Sequence, residues 1–584
     1  MILIYPPAVR ICEPPGGVAY LSGALKHHGV KCTVIDANLD ALLWLGYTHS
    51  QSDNSDKIKC RTMAFLQHDS HDLQNPHNLQ NSHDSQNSYN SHAKYHLPGH
   101  HKTHSLSKHQ ADECKPVPRE NDRWTKRAIN HFQQNLSDLK DPCLYTNMER
   151  YRQKVFEVNR AIGSFLPERF RISLSDYHDS LLSPVKSCDL ISSFKNFNEN
   201  PFYQYFENFL FKKIATSLED GAIEKIDKQS GDYVGISLCY LSQALTGFAL
   251  AGWIKSKFPK KKIIMGGGLV TSWMSSPDWK NPFDSIIDIM VKGQGEKILL
   301  EISGKRMGKK EHFLPDFDFA SWDSYLSPGR ILPYRASTGC YWNKCRFCPE
   351  RAEKSHYFSE KTEDVLDDLQ SLSKRYRIDT VHFLDNSLSY ALLKAISKRK
   401  MPFVWYGFAR FMKELANYDF SRALYSSGCR MLKLGLESGD QTVLDYMHKG
   451  TDLAVVSDVL ASLKKAGLAT YVYLLFGTLQ ETEESAEKTL FYVADHSHEI
   501  NFINTAIFNL PRFSEDAMAL ETDKFYEGDL SLYLNFTHPK GWDRKNIRHF
   551  LSKRFKKNPM ISPAIRNTPP FFTSNHAVFF AKKK

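Results

Sequence analysis

Three of the eleven cysteines, Cys340, Cys345 and Cys348, fall in the run Cys340-Tyr-Trp-Asn-Lys-Cys-Arg-Phe-Cys348, whereas the other eight are scattered along the chain. Thiolates are soft ligands suited to iron–sulfur clusters or zinc. Zinc wants a fourth ligand, and the candidates, Cys429, His356 and His382, lie outside the loop; no second Cys-x-x-Cys pair completes a zinc ribbon. A redox dithiol would use Cys345-Arg-Phe-Cys348 and leave Cys340 superfluous. A four-iron cluster held by three cysteines uses all three and leaves one iron open for a substrate-like ligand. Spacing favours the cluster and leaves zinc and redox chemistry as alternatives.

Glycines form the second set of candidates. Gly266-Gly267-Gly268 follows the strand-like Lys262-Ile-Ile-Met265, and Gly293-Gln-Gly-Glu296 follows Ile286-Ile-Asp-Ile-Met-Val291. Bare backbone at the carboxyl ends of parallel strands can approach phosphates or ring amides, although such loops are also ordinary turns.

The elements that must position these residues read as two α/β series. Ile2-Leu-Ile-Tyr5, a helix opened by Pro14-Pro15-Gly16-Gly17, and Cys32-Thr-Val-Ile35 ending at Asp36 make a parallel β-α-β unit. The series resumes at Asp232–Leu238 and runs through the glycine loops. Leu314-Pro-Asp-Phe-Asp-Phe319 reads as a linker. A second series follows, with strands expected to end at Cys340, Asp385, Tyr406, Glu437, Phe476 and Phe508, separated by helical stretches such as Thr362–Leu369 and Leu453–Leu460. Six β-α units predict a partial barrel, whose chemistry sits at the carboxyl strand ends. The expected architecture is therefore α/β: an N-terminal doubly wound, Rossmann-like sheet over 1–310, a partial (β/α)6 TIM-like barrel over 326–530, and a basic aromatic segment over 531–584.

Between the first two halves of the N-terminal sheet the pattern breaks. Residues 49–114 hold eleven of the 24 histidines among Asn, Ser, Gln and Asp, in phrases without a fixed period. Such composition cannot bury enough surface to offset ordering entropy, so 48–118 is expected to be a disordered insertion, with weak metal buffering as a minor role. Residues 119–220 return to helical composition.

Length and charge bound the rest. At 584 residues several domains are expected. No run of eighteen apolar residues and no signal-like leader occurs, which points to the cytoplasm, where clustered thiols favour metal over disulfide. The net charge is +11, and from Gly541 to Lys584 eleven Lys and Arg face one acid, Asp543. That tail could hold RNA by salt-dependent contacts, the alternative function being a zinc- or cluster-containing nucleic-acid module; interleaved Phe550, Phe555, Phe571, Phe572, Phe579 and Phe580 favour a segment packed on the body instead.

The cysteine loop with Phe347 before its last cysteine, and Gly435-Leu-Glu-Ser-Gly439 followed by Val443-Leu-Asp-Tyr-Met-His-Lys-Gly450, resemble the radical S-adenosylmethionine (SAM) enzymes. The N-terminal half resembles the cobalamin-binding domain preceding the barrel in the branch that includes the anaerobic magnesium-protoporphyrin monomethyl ester cyclase. The likeness covers roughly 1–47 and 200–530. It implies a [4Fe-4S] cluster on Cys340, Cys345 and Cys348, with SAM chelated at the open iron and cleaved to a 5′-deoxyadenosyl radical by one electron from a low-potential donor. Phe347 would flank the SAM site; Asp385, Asn386 and Ser387 would face the SAM amino group; Arg410, Glu437 and Ser438 would meet its carboxylate and ribose; Gly477 would pass the adenine. Arg410 and Glu437 could instead form a structural ion pair across strand ends. Cobalamin would lie against Pro15, Gly16, Asp36, Ser237, Gly266, Gly267, Gly268, Gly293 and Glu296. The resemblance implies methyl transfer, or an oxidation or cyclisation, at an unactivated carbon of a small or medium organic substrate, and names no catalytic acid or base.

Two departures from the family pattern stand out. Four residues, Tyr341-Trp-Asn-Lys344, separate the first two cysteines where three are usual, and Pro6-Pro-Ala-Val-Arg-Ile-Cys12 after the first strand offers no histidine to cobalt. A related tRNA methylthiotransferase would need three further clustered N-terminal cysteines, and Cys12 and Cys32 do not supply them.

Overall fold

Ile2-Leu-Ile4 forms strand β1, and all three residues are buried, as a central parallel strand covered on both faces requires. The computed structural model describes residues 1–49, 122–219, 233–308, 311–525 and 527–581. In it β1 pairs in parallel with β2 (Thr33–Ile35) on one side and with β3 (Tyr233–Ser237) on the other. β4 (Lys262–Gly266) and β5 (Ile289–Met290) complete a five-stranded sheet of order β2-β1-β3-β4-β5. Helix α1 (Gly16–His27) makes the first crossover. The order reverses between β1 and β3, the switch point beyond whose carboxyl ends a doubly wound sheet opens a crevice.

Between β2 and β3 the chain leaves the sheet through helix Ala37–His49. The histidine tract and its expected metal role lie outside the described residues. The helices that follow include Met148–Ser164, which presents Tyr151, Val155, Val158 and Ile162 on one buried face and is capped where Asn147 Oδ1 accepts from the Glu149 and Arg150 amides.

The second sheet contains β6 (Ile331–Tyr334), β7 (Thr380–Phe383), β8 (Val404–Ala409), β9 (Cys429–Glu437), β10 (Ala469–Phe476) and β11 (Phe502–Ile507), all parallel and in sequence order. Helices such as Thr362–Tyr376, Leu453–Ala466 and Glu483–Asp495 fill the crossovers. β6 and β11 do not pair with each other, so the sheet is an open barrel. Its edges are covered. Thr568, from the C-terminal segment, bonds both the amide and the carbonyl of Ile503 on β11. On the other side α1 packs on β6 so closely that a Cβ on Gly16 would sit 3.5 Å from Pro333 Cβ.

Two expectations change. The first barrel strand ends at Tyr334, well before Cys340, because the Asp385 carboxylate takes the Ala336 amide at 3.0 Å and the Ser337 hydroxyl at 2.5 Å and turns the chain out of the ladder. The expected linker Leu314–Phe319 is instead a packed strap: the Asp316 amide bonds the Ala19 carbonyl, and Phe317 is fully buried. Further bonds cross from the first sheet to the second, including Arg335 amide to Tyr20 hydroxyl and Leu326 amide to Ile11 carbonyl. Among the described residues no helix is long and apolar enough to cross a membrane.

Candidate active site at the cysteine loop

The loop from Ser337 to Cys348 is shaped by residues that leave little choice. Gly339 has φ +68°, and a Cβ there would stand 2.6 Å from the His356 carbonyl oxygen. Asn343, at φ 43°, sits at the left-handed bend inside the four-residue first spacing. The extra residue therefore has a turn to occupy. Trp342 donates its indole N–H to the His448 carbonyl at 2.9 Å, and the Arg346 amide bonds the Met447 carbonyl at 3.0 Å. Arg346 also pairs with Asp516 and lies over the Tyr446 ring. The segment Val443–Gly450, picked out in the sequence only as a motif, is the bracket on which the cysteine loop is mounted.

Cys345 is buried, and Cys340 and Cys348 are half-buried. Burial pushes the Cys345 thiol up and the Cys348 thiol up to about 11, while Lys449 and Arg410 pull Cys345 the other way. Thiols raised in this way keep their protons until a metal displaces them, and the cations beside them suit the excess negative charge of a thiolate-bound cluster. Among the described residues no three His, Cys, Asp or Glu side chains are arranged to hold a single metal ion.

Arg410 and Glu437 do not pair with each other. Arg410 lies over the Trp342 ring at 4.2 Å and donates to the Lys449 and Gly450 carbonyls. Glu437, at φ +68° where the β9 ladder shifts register, pairs with Lys449 at 2.8 Å. Lys449, a partner sequence reading missed although it stands in the quoted motif, also lies over the Phe347 ring. Gly435 makes room for this pair, since a Cβ there would meet Glu437 Oε1 at 2.4 Å and Lys449 Nζ at 2.7 Å. Ser438 points away, bonding Thr489 and the Asp440 amide. Asp385 is occupied by Ala336 and Ser337, Ser387 is buried beside Tyr341, and Leu384 and Asn386 are exposed at the same strand end. Gly477, at φ +84°, gives its amide to Glu481, whose burial raises its carboxyl to about 8.

A cavity of about 1140 Å³ lies between the carboxyl edge of the first sheet and the cysteine loop. One wall holds Ser237, Gly266, Gly267, Gly268, Gly293 and Glu296; the other holds Thr338, Gly339, Glu350, Glu353 and His356. Gly17 and Gly293 have nothing within 4 Å of where a Cβ would be, so bare backbone faces open space. Glu296 is buried and its Oε2 has no partner, while Oε1 faces Arg335 at 3.7 Å. An orphaned carboxylate oxygen in a glycine-walled cavity fits a bulky ligand with amide donors. Pro15, Gly16 and Asp36 stand apart from it. Gly16 faces Pro333 and Leu384, and Asp36 takes the Tyr325 hydroxyl at 2.7 Å, with burial raising its carboxyl to about 7.

Residues 334–493 match the Radical SAM superfamily model. The chain is 25% identical over 36% of its length to an uncharacterized methyltransferase of Pyrococcus horikoshii, of which 49% is covered. It is 26% identical over 34% of its length to the bacteriochlorophyllide d C-12(1)-methyltransferase of Chlorobaculum tepidum, of which 43% is covered. The chain thus spans about half the length of the curated relatives it matches. Among solved structures, it resembles the radical SAM methyltransferase TsrM of Kitasatospora setae, with cobalamin and a [4Fe-4S] cluster bound, at 16% identity and a TM-score of 0.41, covering 59% of this chain and 78% of that one.

Proposed function

We propose that this chain, an enzyme whose residues 334–493 form a Radical SAM superfamily domain, is a cobalamin-dependent member of that superfamily acting at an unactivated carbon of an organic substrate. One observation supports the reading: Thr338 and Gly339, at the start of the cysteine loop, line the same cavity as the glycines at the edge of the first sheet, so a corrin seated there would lie against the segment that leads into the cysteines. Cys340, Cys345 and Cys348 would hold a [4Fe-4S] cluster, and Ser237, Gly266, Gly267, Gly268, Gly293 and Glu296 would line a corrin seat, with Glu296 Oε2 accepting from a side-chain amide. When bound, the cluster supplies an electron and an open iron for SAM, and the corrin supplies a carrier for a methyl group or an electron.

The protein's own residues position and exclude. Arg410 holds the Trp342 side of the loop, and Lys449 with Glu437 presents charged groups beside Phe347 for the amino-acid and ribose ends of SAM. The packed strap Leu314–Phe319 and the Tyr20–Arg335 contact tie the two halves to each other. The relatives' names support methyl transfer over oxidation or cyclisation.

Anaerobic reconstitution with iron and sulfide, followed by reduction with SAM, should give a cluster absorbance and 5′-deoxyadenosine, and the Cys340→Ala/Cys345→Ala/Cys348→Ala variant should give neither. Protein purified from a cobalamin-fed host should retain corrinoid. Continued SAM cleavage by the triple variant defeats the cluster assignment; a colourless protein from the cobalamin-fed host defeats the corrin seat.

A further inference from the structure

The open barrel has an accessible lumen. On β8, β9 and β10 the residues facing the helices, such as Gly407, Ala409, Leu434, Leu436, Val472 and Leu474, are buried, whereas Phe408, Gly435, Glu437, Tyr473 and Leu475, on the opposite face of each strand, keep partial exposure. Following that inner row down β9 from Glu437 leads through Gly435 to Lys433, roughly 13 Å below the rim at the usual strand rise. The floor there is polar and buried. Lys433 Nζ bonds His382 Nε2 at 2.8 Å and lies 4.2 Å from the Phe408 ring centroid. His382 is stacked on Tyr406, and its Nδ1 meets both oxygens of Glu13 at 2.9 and 3.0 Å. Glu13 and Arg10 come from the loop after β1, the switch-point loop of the other sheet.

Three features of this floor are unsatisfied. Arg10 is half-buried and, among the described residues, its guanidinium has no hydrogen-bond or ion-pair partner. The Tyr406 hydroxyl is fully buried with no partner. Lys433 has only a neutral-capable imidazole as its close partner, and its field neighbours are Glu13, Arg10 and Asp385. Of the two acids, Asp385 accepts from Ala336 and Ser337, and Glu13 accepts from His382, whose neutral imidazole leaves that carboxylate charged, so one acid faces the two cations Arg10 and Lys433. An uncompensated cation and an idle donor in a buried aromatic chamber are costly unless an anion completes them. Burial lowers the Lys433 ammonium to about 7, so it sits ready to charge when an anion arrives.

We propose that this floor, Arg10, Lys433 and the Tyr406 hydroxyl beneath the Phe408–Tyr473 ring pair, is the seat of a substrate carboxylate, so that the substrate is an organic acid with a flat apolar body. Arg10 offers a planar fork matched to a carboxylate. Tyr406 would donate one more hydrogen bond, and Phe408 and Tyr473, packed on each other with ring centroids 5.1 Å apart, would offer an aromatic surface to the body above. Because the seat lies below the Glu437 rim, it is separate from the groups beside the cysteine loop. This deepens the proposed function by naming the substrate class for the same active site.

The test uses reconstituted full-length protein, without reductant, titrated at pH 7 with three pairs of probes: benzoate, indole-3-acetate and 2-naphthoate, each against its carboxamide. At least one acid should bind about tenfold or more tightly than its amide, a preference that Arg10→Gln, Lys433→Met and Tyr406→Phe each reduce and that Arg10→Lys and Lys433→Arg restore in part. Equal binding or no binding across all three pairs, or a preference unchanged in the neutral variants, overturns the proposal. Protein that prefers the acid yet fails to cleave SAM refutes the radical reading alone.

Discussion

Lys449 shows how a single side chain can tie several parts of a site together. It neutralises Glu437, lies over Phe347, and offers its carbonyl to Arg410, all at the base of the loop that presents the cysteines. Both partners of the Lys449–Glu437 pair are nearly buried, so removing one leaves a charge without its counter-ion, at a cost of roughly 3–5 kcal/mol. Lys449→Met should therefore lower both the melting temperature and the iron bound per chain after reconstitution. Lys449→Met with Glu437→Gln should recover part of that stability, because no charge is stranded; a double variant as unstable as the sum of the two single ones would show that the pair is not coupled.

At the scale of elements, the cysteine loop is not a free excursion from its barrel strand but a piece docked on the Val443–Gly450 segment. Gly450 makes that docking possible: it sits at φ +62°, and a Cβ there would fall 2.1 Å from Trp342 Cζ2. Gly450→Ala cannot be absorbed by a rotamer change in Trp342 without losing the indole bond to His448 and the stack under Arg410. We expect a loss of about 1–3 kcal/mol from backbone strain and clash together, with cluster incorporation falling more than global stability does, measured by iron content against thermal melting. Unchanged incorporation would mean the loop does not need this bracket.

Across the whole molecule, the basic tail is built into the body. Ile547, Phe550, Phe555, Phe572 and Val578 are buried, and helix Thr573–Ala581 packs under β9 and β10. Its His576 is wholly buried, stacked on Phe572, and accepts at Nδ1 from the Tyr151 hydroxyl at 2.8 Å, beside the Tyr145 hydroxyl that donates to the Leu139 carbonyl, joining the tail to the helical insertion. Burial, with a further push from Arg10, lowers its imidazole from 6.5 to about 3. The unfolded chain binds this proton between those values and the folded one does not, so the stability contributed by His576 is complete above about 6.5 and is lost as pH falls toward about 3. Thermal melting should therefore drop between pH 6.5 and pH 4. In His576→Phe the protein should be less stable at neutral pH, having stranded the Tyr151 hydroxyl, but its melting temperature should depend less on pH over that interval. An unchanged slope would assign the acid sensitivity to other groups.

Much of the chemistry could be read from local signals. Cys340, Cys345 and Cys348 stand on one loop whatever the fold, and the glycines after β4 and before helix Glu296–Ile302 mark strand ends by their own conformational freedom. The alternation of strands and helices gave the two parallel sheets, because a period of apolar residues is a property of the chain. What the sequence could not specify were relations between distant residues. Arg410 and Glu437 are strand-end residues in the linear pattern, yet only the packed barrel turns one toward Trp342 and the other toward Lys449. Asp36, read as a cofactor contact, is claimed by Tyr325 from the other half of the protein, 289 residues away. Arg10 and Glu13 carried no motif at all; they reach the barrel floor because the switch-point loop of one sheet enters the other. Covalent order and periodicity fix which groups exist and on which face of an element they stand, while the partners of a buried charge are chosen by desolvation and packing, which exist only once the chain has folded.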